Sequence, residues 1–449
     1  MDILEKALAM LKAYPLCDNC LGRQFAMLGY GLENDERGKA LKKVLLMRAH
    51  ALAVAGDEEG VKILRVLAVN GFSNLAVEIL KKMGKRIPRR VMLKECFLCE
   101  NRFMHMDELA EKAVKELSNY ECQSFLVGVE LPFEVEERED EFRAIFNVEY
   151  GESIRIEFGR LLGKKISLLT GKPVEYKSPD VVLLINPITG DMRVQVNPLY
   201  IAGRYKKLVR GIPQSKWFCS KCWGEGCERC NWTGRMYPES VEELISTPVL
   251  QFVGGVKASF HASGREDVDA RMLGKGRPFV IEVSQPKKRF INLKELEAAI
   301  NEYAKGKVEV FNLFFANKSL VRKIKKAESA RKRYRVIVEF EREVSDEELK
   351  LLEKKLTNVV VKQRTPMRVL HRRADLTREK YIYEVKVKRL SPNRIEMKVL
   401  CQGGLYVKEL VTGDGGRTTP SVSEILNNQA KPLDLDVLDV IMKDQGVEV

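Results

Sequence analysis

Ser263-Gly-Arg-Glu-Asp-Val-Asp-Ala-Arg-Met-Leu-Gly-Lys-Gly-Arg-Pro-Phe279 sets three acids, Glu266, Asp267 and Asp269, among Arg265, Arg271 and Arg277 and the glycines Gly264, Gly274 and Gly276. Before it, Val256, Ala258, Phe260 and Ala262 alternate with other residues, the period-two pattern of a strand with one buried face. After it, Phe279-Val-Ile-Glu-Val283 reads as a second strand. The charged segment is therefore expected to be a loop at the end of a sheet. A loop so placed can hold one carboxylate inside a cleft beside cations; the alternative is a salt-bridged surface loop.

The rest of the chain gives that loop a setting. At 449 residues it has room for two or three domains. With 45% hydrophobic and 31% charged residues it has the composition of a soluble globular protein that buries sizeable cores. No apolar run approaches the length of a membrane span. Ile3, Leu4, Ala7, Leu8 and Leu11 form a helical stripe broken by Asp2, Glu5, Lys6 and Lys12 and ended by Pro15, which is not a secretory signal pattern. A cytoplasmic location is expected.

The net charge of +14 points to a polyanionic partner, although charge-rich surfaces also occur in heat-stable proteins. Its distribution favours the partner. Met192–Gly224 contains no acid but holds Arg193, Arg204, Lys206, Lys207, Arg210, Lys216 and Lys221. Lys318–Arg335 has nine basic residues and one acid, Glu328. Lys362–Arg373 has five basic residues, His371 and no acid. Such runs can neutralise phosphates along an RNA, with steep salt dependence. None adjoins an apolar anchor, so a membrane surface is not expected, and no obligate protein partner is evident.

Eight of the ten cysteines fall in Cys-x-x-Cys pairs. Cys17/Cys20 and Cys96/Cys99 can complete one Cys₄ zinc site if the chain folds back; redox dithiols or buried thiols are the alternatives. Cys219, Cys222, Cys227 and Cys230 form a tighter set with Gly224, Gly226 and Gly234 between and after them. Four thiolates leave no open coordination position, so one or two zinc ions would be structural. The short central spacer raises the expectation of strain in a single closed site. Trp217, Trp223 and Trp232 are the only tryptophans. They can stack on RNA bases, but packing for a small zinc knob is the favoured expectation. Cys122 and Cys401 are expected in cores.

Periodicity predicts an α+β chain. Helices are expected over 75–83, 109–117 and 152–170, and strands over 123–131, 181–185 and 192–196. Asn292-x-x-Glu295 and Ser345-x-x-Glu348 predict helix starts, with helices to Ala304 and Leu356. Strands are expected over 307–313, over 334–340 and from Val359, and a hairpin over 381–401 around Ser391-Pro392-Asn393.

Gly264-Arg265-Glu266-Asp267 resembles the Gly-Arg-Thr-Asp core of TruA-type pseudouridine synthases. Lys332-Arg333-Tyr334, Gln363-Arg-Thr-Pro-Met-Arg-Val-Leu-His-Arg-Arg373 and Gly403-Gly-Leu-Tyr-Val-Lys-Glu-Leu410 follow in order. Together they resemble the Pus10 family of tRNA pseudouridine synthases, in its archaeal form. Leu405 stands where the family often has a small polar residue. Asp180 through Gly203-Arg204-Tyr205 resembles a THUMP domain, an RNA-binding module.

The resemblance implies three segments. These are an RNA-binding domain over 1–203, THUMP-like most clearly over 150–203, a basic linker with the second cysteine cluster over 204–237, and a synthase domain over 238–449 with a mainly antiparallel mixed sheet flanked by helices. It implies isomerisation of T-loop uridines, 55 and also 54, with no organic cofactor and the tRNA T-arm as partner. Asp267 would be the nucleophile, Tyr334 the aromatic support and Lys408 the cation paired with Asp267. Glu266 and Asp269 would support it, holding the loop through Arg271 and Arg277. Arg204, Tyr205, Arg265, Arg364, Arg368, His371, Arg372, Tyr406 and Leu410 would contact RNA, with Leu410 packed under the base. The rivals are a non-catalytic zinc-containing RNA-binding protein and a metal-dependent RNA phosphodiesterase using Asp267 and Asp269.

Overall fold

The structure is a computed structural model that describes residues 2–88, 94–326 and 330–441, without the side chain of Arg372. It divides into two compact units, Met1–Asn197 and Pro198–Val449.

In the first unit, β1 (Phe125–Val129) pairs in parallel with β2 (Val181–Ile185), which pairs antiparallel with β3 (Met192–Val196). Helices include Asn34–Val54, Glu58–Val69, Asn74–Lys82, Met106–Leu117, Phe133–Ile145 and Ile154–Thr170. Side chains cap several of them: Ser73 accepts from Ala76 N–H and Ser153 from Ile156 N–H. Leu11, Leu21, Leu64, Phe125, Phe158 and Leu183 lie in one continuous core.

The second unit is built on β4 (Leu199–Lys207), β5 (Lys257–Ala262), β6 (Arg271–Ser284), β7 (Val308–Ala316), β8 (Arg331–Phe340), β9 (Val359–Arg364), β10 (Thr377–Ser391), β11 (Arg394–Gln402), β12 (Thr418–Thr419) and β13 (Ala430–Ile441). Nine run in the order β12-β9-β10-β11-β8-β13-β6-β4-β7, and β5 pairs with β6. All pairings in this sheet are antiparallel except β13 with β6. The expected caps form: Asn292 accepts from Lys294 and Glu295 N–H groups, and Ser345 and Glu348 make a reciprocal capping box.

Two elements differ from expectation. Residues 199–203, expected at the end of the first domain, and 204–207, expected in the basic linker, together form β4 inside the second unit's sheet. β6 begins at Arg271, eight residues before the expected Phe279, because Arg271 and Met272 pair with Asp436 and Val437 of β13. Gly274 sits within this strand at φ +57°, where a Cβ would stand 2.2 Å from Leu438 O. Only glycine allows so close an approach of the two strands.

The parallel β13–β6 join carries the site. Tyr334 on β8 lies opposite Val437 on β13, and Val437 lies opposite Met272 on β6. The Asp267 loop closes just before that point, with Ala270 N–H donating to Asp267 O at 3.1 Å. Tyr334 packs against both core clusters that meet here.

Candidate active site

A cleft of about 600 Å³ opens at this join. Gly264–Asp267, Lys332, Tyr334, Arg368 and Gly403–Lys408 line it, so segments far apart in sequence converge. Lys332 and Tyr334 reach the same cleft because strand residues two apart share a face.

Asp267 is half-buried, with its carboxylate 3.3 Å from Arg368 and 3.7 Å from Lys408. Arg368 is fixed from behind, its Nε donating to Glu409 Oε1 at 2.7 Å. Lys408 has a nearer partner: it donates to Asp269 at 2.6 Å. Burial works against charge on Asp269, but the Lys408 ammonium outweighs it and holds the carboxyl below its usual range. Lys408 therefore bridges two carboxylates rather than pairing with Asp267 alone. Arg368, expected as an RNA contact, is the cation closest to Asp267.

The loop is braced from beneath. Glu266 accepts from Arg277 Nε at 2.9 Å and from the Tyr205 hydroxyl at 3.0 Å. Arg277 donates to Ser263 O at 2.7 Å. Lys207 Nζ donates to the carbonyls of Ile212, Asp267 and Val268 at 2.9, 3.0 and 3.1 Å. Burial pushes Lys207 down to about 8, with Glu266 and Asp269 pulling the other way. Gly264 turns the chain at φ +75°, where a Cβ would stand 3.1 Å from Lys332 Nζ. Arg271, expected with Arg277 to hold the loop, turns elsewhere. It pairs with Asp436, which also receives Arg210 and Arg335.

Burial pushes the Tyr334 phenol up, so at neutral pH it is a protonated hydroxyl and an aromatic wall. Lys332 was not among the expected site residues. Burial, and next to it Arg277, pushes it down to about 8. Tyr406 N–H donates to Gln363 Oε1 at 2.8 Å, and the Tyr406 hydroxyl accepts from Arg373 at 3.0 Å.

Three expected RNA contacts lie elsewhere. Tyr205 is fully buried in the core, with its hydroxyl engaged by Glu266 and Gln214. Arg204 donates to Lys275 O and Gly276 O and pairs with Asp439. Leu410 is fully buried in the core, and Leu405 stands in the cleft wall instead. Arg364 pairs with Asp375, His371 is exposed, and the side chain of Arg372 lies outside the described residues. Arg265 stacks its guanidinium 5.3 Å from the Trp217 ring.

Much of the 192–224 basic run is turned inward. Lys207 is buried, Arg210 donates to Asp269 O and Leu435 O, and Lys206 pairs with Glu309. In contrast, Lys318, Arg322, Lys323, Lys325 and Lys326 are exposed on the helix Lys318–Lys326, which seats Val321 and Ile324 inward. Ile324 and Lys325 reach the cleft wall.

Each cysteine set comes together, with its four sulfurs within 4.8 Å of one another. Cys17 and Cys99 sulfurs are 3.6 Å apart. The Cys219–Cys227, Cys222–Cys230 and Cys227–Cys230 separations are each 3.8 Å. Four thiolates at about 2.3 Å from a tetrahedral zinc stand about 3.8 Å apart. Both sets therefore have the donor chemistry and spacing for zinc, and the short central spacer does not prevent the second from closing. Cys122 and Cys401 are buried.

The family model "Pus10, C-terminal" matches residues 200–441, and "Pus10 THUMP domain, archaeal" matches 109–186. The THUMP match starts well before the 150–203 region expected from sequence and ends ahead of β4. The "tRNA pseudouridine synthase Pus10" of Methanocaldococcus jannaschii is 45% identical over 442 residues, covering 96% of this chain and 93% of that protein. The protein of the same name from Methanothermobacter marburgensis is 47% identical over 449 residues, covering 98% and 99%. Among solved structures, a Cbf5-Nop10-Gar1 complex aligns at 14% identity and a TM-score of 0.30, covering 46% of this chain and 47% of that one. The family models and the near full-length identities agree: this chain belongs to the Pus10 family.

Proposed function

We propose that the chain is a tRNA pseudouridine synthase that isomerises T-loop uridines, at position 55 and also 54, with Asp267 as its nucleophile. The observation that carries this reading is the convergence of Asp267, Arg368, Lys408 and Tyr334 in one cleft.

The reaction breaks the bond from ribose C1′ to uracil N1, turns the base, and joins C1′ to C5. The C5 proton is lost and N1 gains one, so no redox partner is needed. An ionised carboxylate must act at C1′ or C2′. Arg368 and Lys408 place two cations 3.3 and 3.7 Å from the Asp267 carboxylate. Tyr334 offers a face against which the detached base can lie. The target must leave the loop stack to reach Asp267, and the basic helix Lys318–Lys326 at the rim suits the RNA backbone.

The phosphodiesterase reading is disfavoured because Asp267 and Asp269 are engaged by Arg368 and Lys408. Among the described residues, both groups able to hold a metal consist of cysteines alone. Incubation with unmodified tRNA followed by pseudouridine mapping tests the proposal. A T-loop product is expected, and cleaved or unchanged RNA would reject it.

The cysteine sets would each hold one structural zinc, supplying cross-links and no step of the reaction. Metal analysis should find two zinc ions per chain. Brief EDTA treatment is expected to leave the single-turnover rate at saturating tRNA intact while lowering the melting temperature. An immediate, zinc-reversible loss of turnover with the fold unchanged would count against a structural role.

Lys323→Glu with Lys326→Glu is expected to weaken tRNA binding about tenfold or more and flatten its salt dependence by up to two counterions. Binding measured across a salt series decides this. An unchanged slope would remove the helix from the RNA interface.

A further inference from the structure

Between β4 and β5, the octapeptide Cys219–Gly226 is followed without a gap by Cys227–Gly234, in the same Cys-x-x-Cys-x-x-x-Gly order. The folded halves repeat each other. Gly226 N–H donates to Cys222 Sγ and Gly234 N–H to Cys230 Sγ, both at 3.2 Å. Trp223 N–H donates to Cys219 O at 2.8 Å, and Trp232 N–H donates to Cys227 O at 2.9 Å. Each half thus turns back just past its second cysteine and carries a tryptophan at the turn.

Those tryptophans do not pack the knob. Trp223 is 81% exposed and Trp232 is 74% exposed, against the expectation from sequence. Both hold left-handed backbone, φ +53° and +60°, a conformation uncommon for bulky residues. Phe218 beside them is also exposed, with Lys216 Nζ 4.9 Å from its ring centre. The third tryptophan ties the knob to the cleft, because Arg265, on which its ring stacks, lines the cleft two residues before Asp267.

We propose that Trp223 and Trp232 stack on unpaired nucleotides of the RNA substrate, making the cysteine knob a base-gripping site beside the cleft. The identification of that RNA as tRNA rests on the function proposed above. Exposed indoles on a cross-linked scaffold give a sequence-tolerant surface for bases. Lys216, Lys221 and Arg229 outnumber the exposed acids Glu225 and Glu228 of the knob, which favours a polyanion over an apolar protein partner. Arg235 contributes less, being paired with Glu243 at 2.8 Å.

Because the chain's three tryptophans, Trp217, Trp223 and Trp232, all lie in or beside the knob, selectively excited tryptophan emission reports on this region. Titrating the full-length, zinc-loaded protein with unmodified tRNA is expected to quench the emission. Trp223→Ala and Trp232→Ala should each weaken binding by about fivefold to 100-fold, while the tyrosine variants retain most of it. Zinc content and melting temperature, measured on each variant, show whether the knob is intact. Alanine variants that bind tRNA within twofold of the parent would overturn the proposal. So would self-association of the parent that both alanine changes abolish, which would assign the surface to a second copy of the chain. Pseudouridine mapping on the parent separates the two readings. Product formed without dependence on these tryptophans rejects the stacking alone. Tryptophan-dependent binding without product rejects the synthase alone.

Discussion

Asp267→Asn is expected to bind unmodified tRNA as the parent does and to form no pseudouridine, a loss of about 10⁴-fold or more. The amide has the shape of the carboxylate but cannot act as a nucleophile. Binding should survive because the grip lies elsewhere: the loop is held by Lys207, Arg277 and Gln214 through backbone atoms or Glu266 and Tyr205, not through the Asp267 side chain. Removing one negative charge beside Arg368 and Lys408 favours phosphate contact if it changes anything. Single-turnover mapping with a parallel binding isotherm is the measurement, and normal turnover would end the assignment. Asp269→Asn is the informative comparison. Lys408 lies 2.6 Å from Asp269 and 3.7 Å from Asp267, so Asp269 helps set the position of that ammonium. Its loss should reduce turnover without abolishing it. If the two variants exchanged phenotypes, Asp269 would be the nucleophile.

The site was legible in sequence where neighbours in the chain carry the information. The capping pairs at Asn292 and Ser345 satisfy helix N–H groups locally, so their residue types alone mark the starts. The Asp267 loop and Tyr334 strand were equally readable. What sequence did not reveal depends on partners far along the chain. Arg204, Lys206, Lys207 and Arg210 look like an RNA-binding run because their stretch has no acid. The groups that absorb them are Asp439, Glu309, Asp436 and backbone carbonyls, some of them 226 residues away or more. The motif resemblance pairs Lys408 with Asp267, but a linear motif does not show that the folded ammonium lies nearer to Asp269, two residues on. The helix Asn34–Val54 shows no clean apolar stripe, since Asn34, Arg37 and Lys42 are themselves buried. Arg37 donates to the carbonyls of Leu28, Gly29 and Leu32, and Lys42 to Leu16 O. The knob tryptophans stay exposed rather than packing it, because compact zinc loops need little apolar packing when four sulfurs supply the cross-link.

The second large effect concerns stability. Arg277→Met is expected to lower the stability of the second unit by about 3–5 kcal/mol. Arg277 is fully buried and Glu266 is 4% exposed, so neither charge has water to fall back on. Methionine fills much of the same space but leaves Glu266 with only the Tyr205 hydroxyl, and leaves Ser263 O without its 2.7 Å donor. Glu266→Gln should also destabilise, because it leaves the buried Arg277 guanidinium without its anion, although the amide oxygen can still accept its hydrogen bond. The double variant is decisive. If the penalty of Arg277→Met is an uncompensated buried carboxylate, adding Glu266→Gln should recover a substantial part of it. If the penalty is lost packing, the two costs should add. Urea melts of the four proteins measure the coupling. A strongly recovering pair would mean that the acid beside Asp267 is retained as half of a buried clamp. Arg277→Met would then also slow turnover at temperatures where the protein stays folded, because Ser263, at the start of the Asp267 loop, loses its anchor.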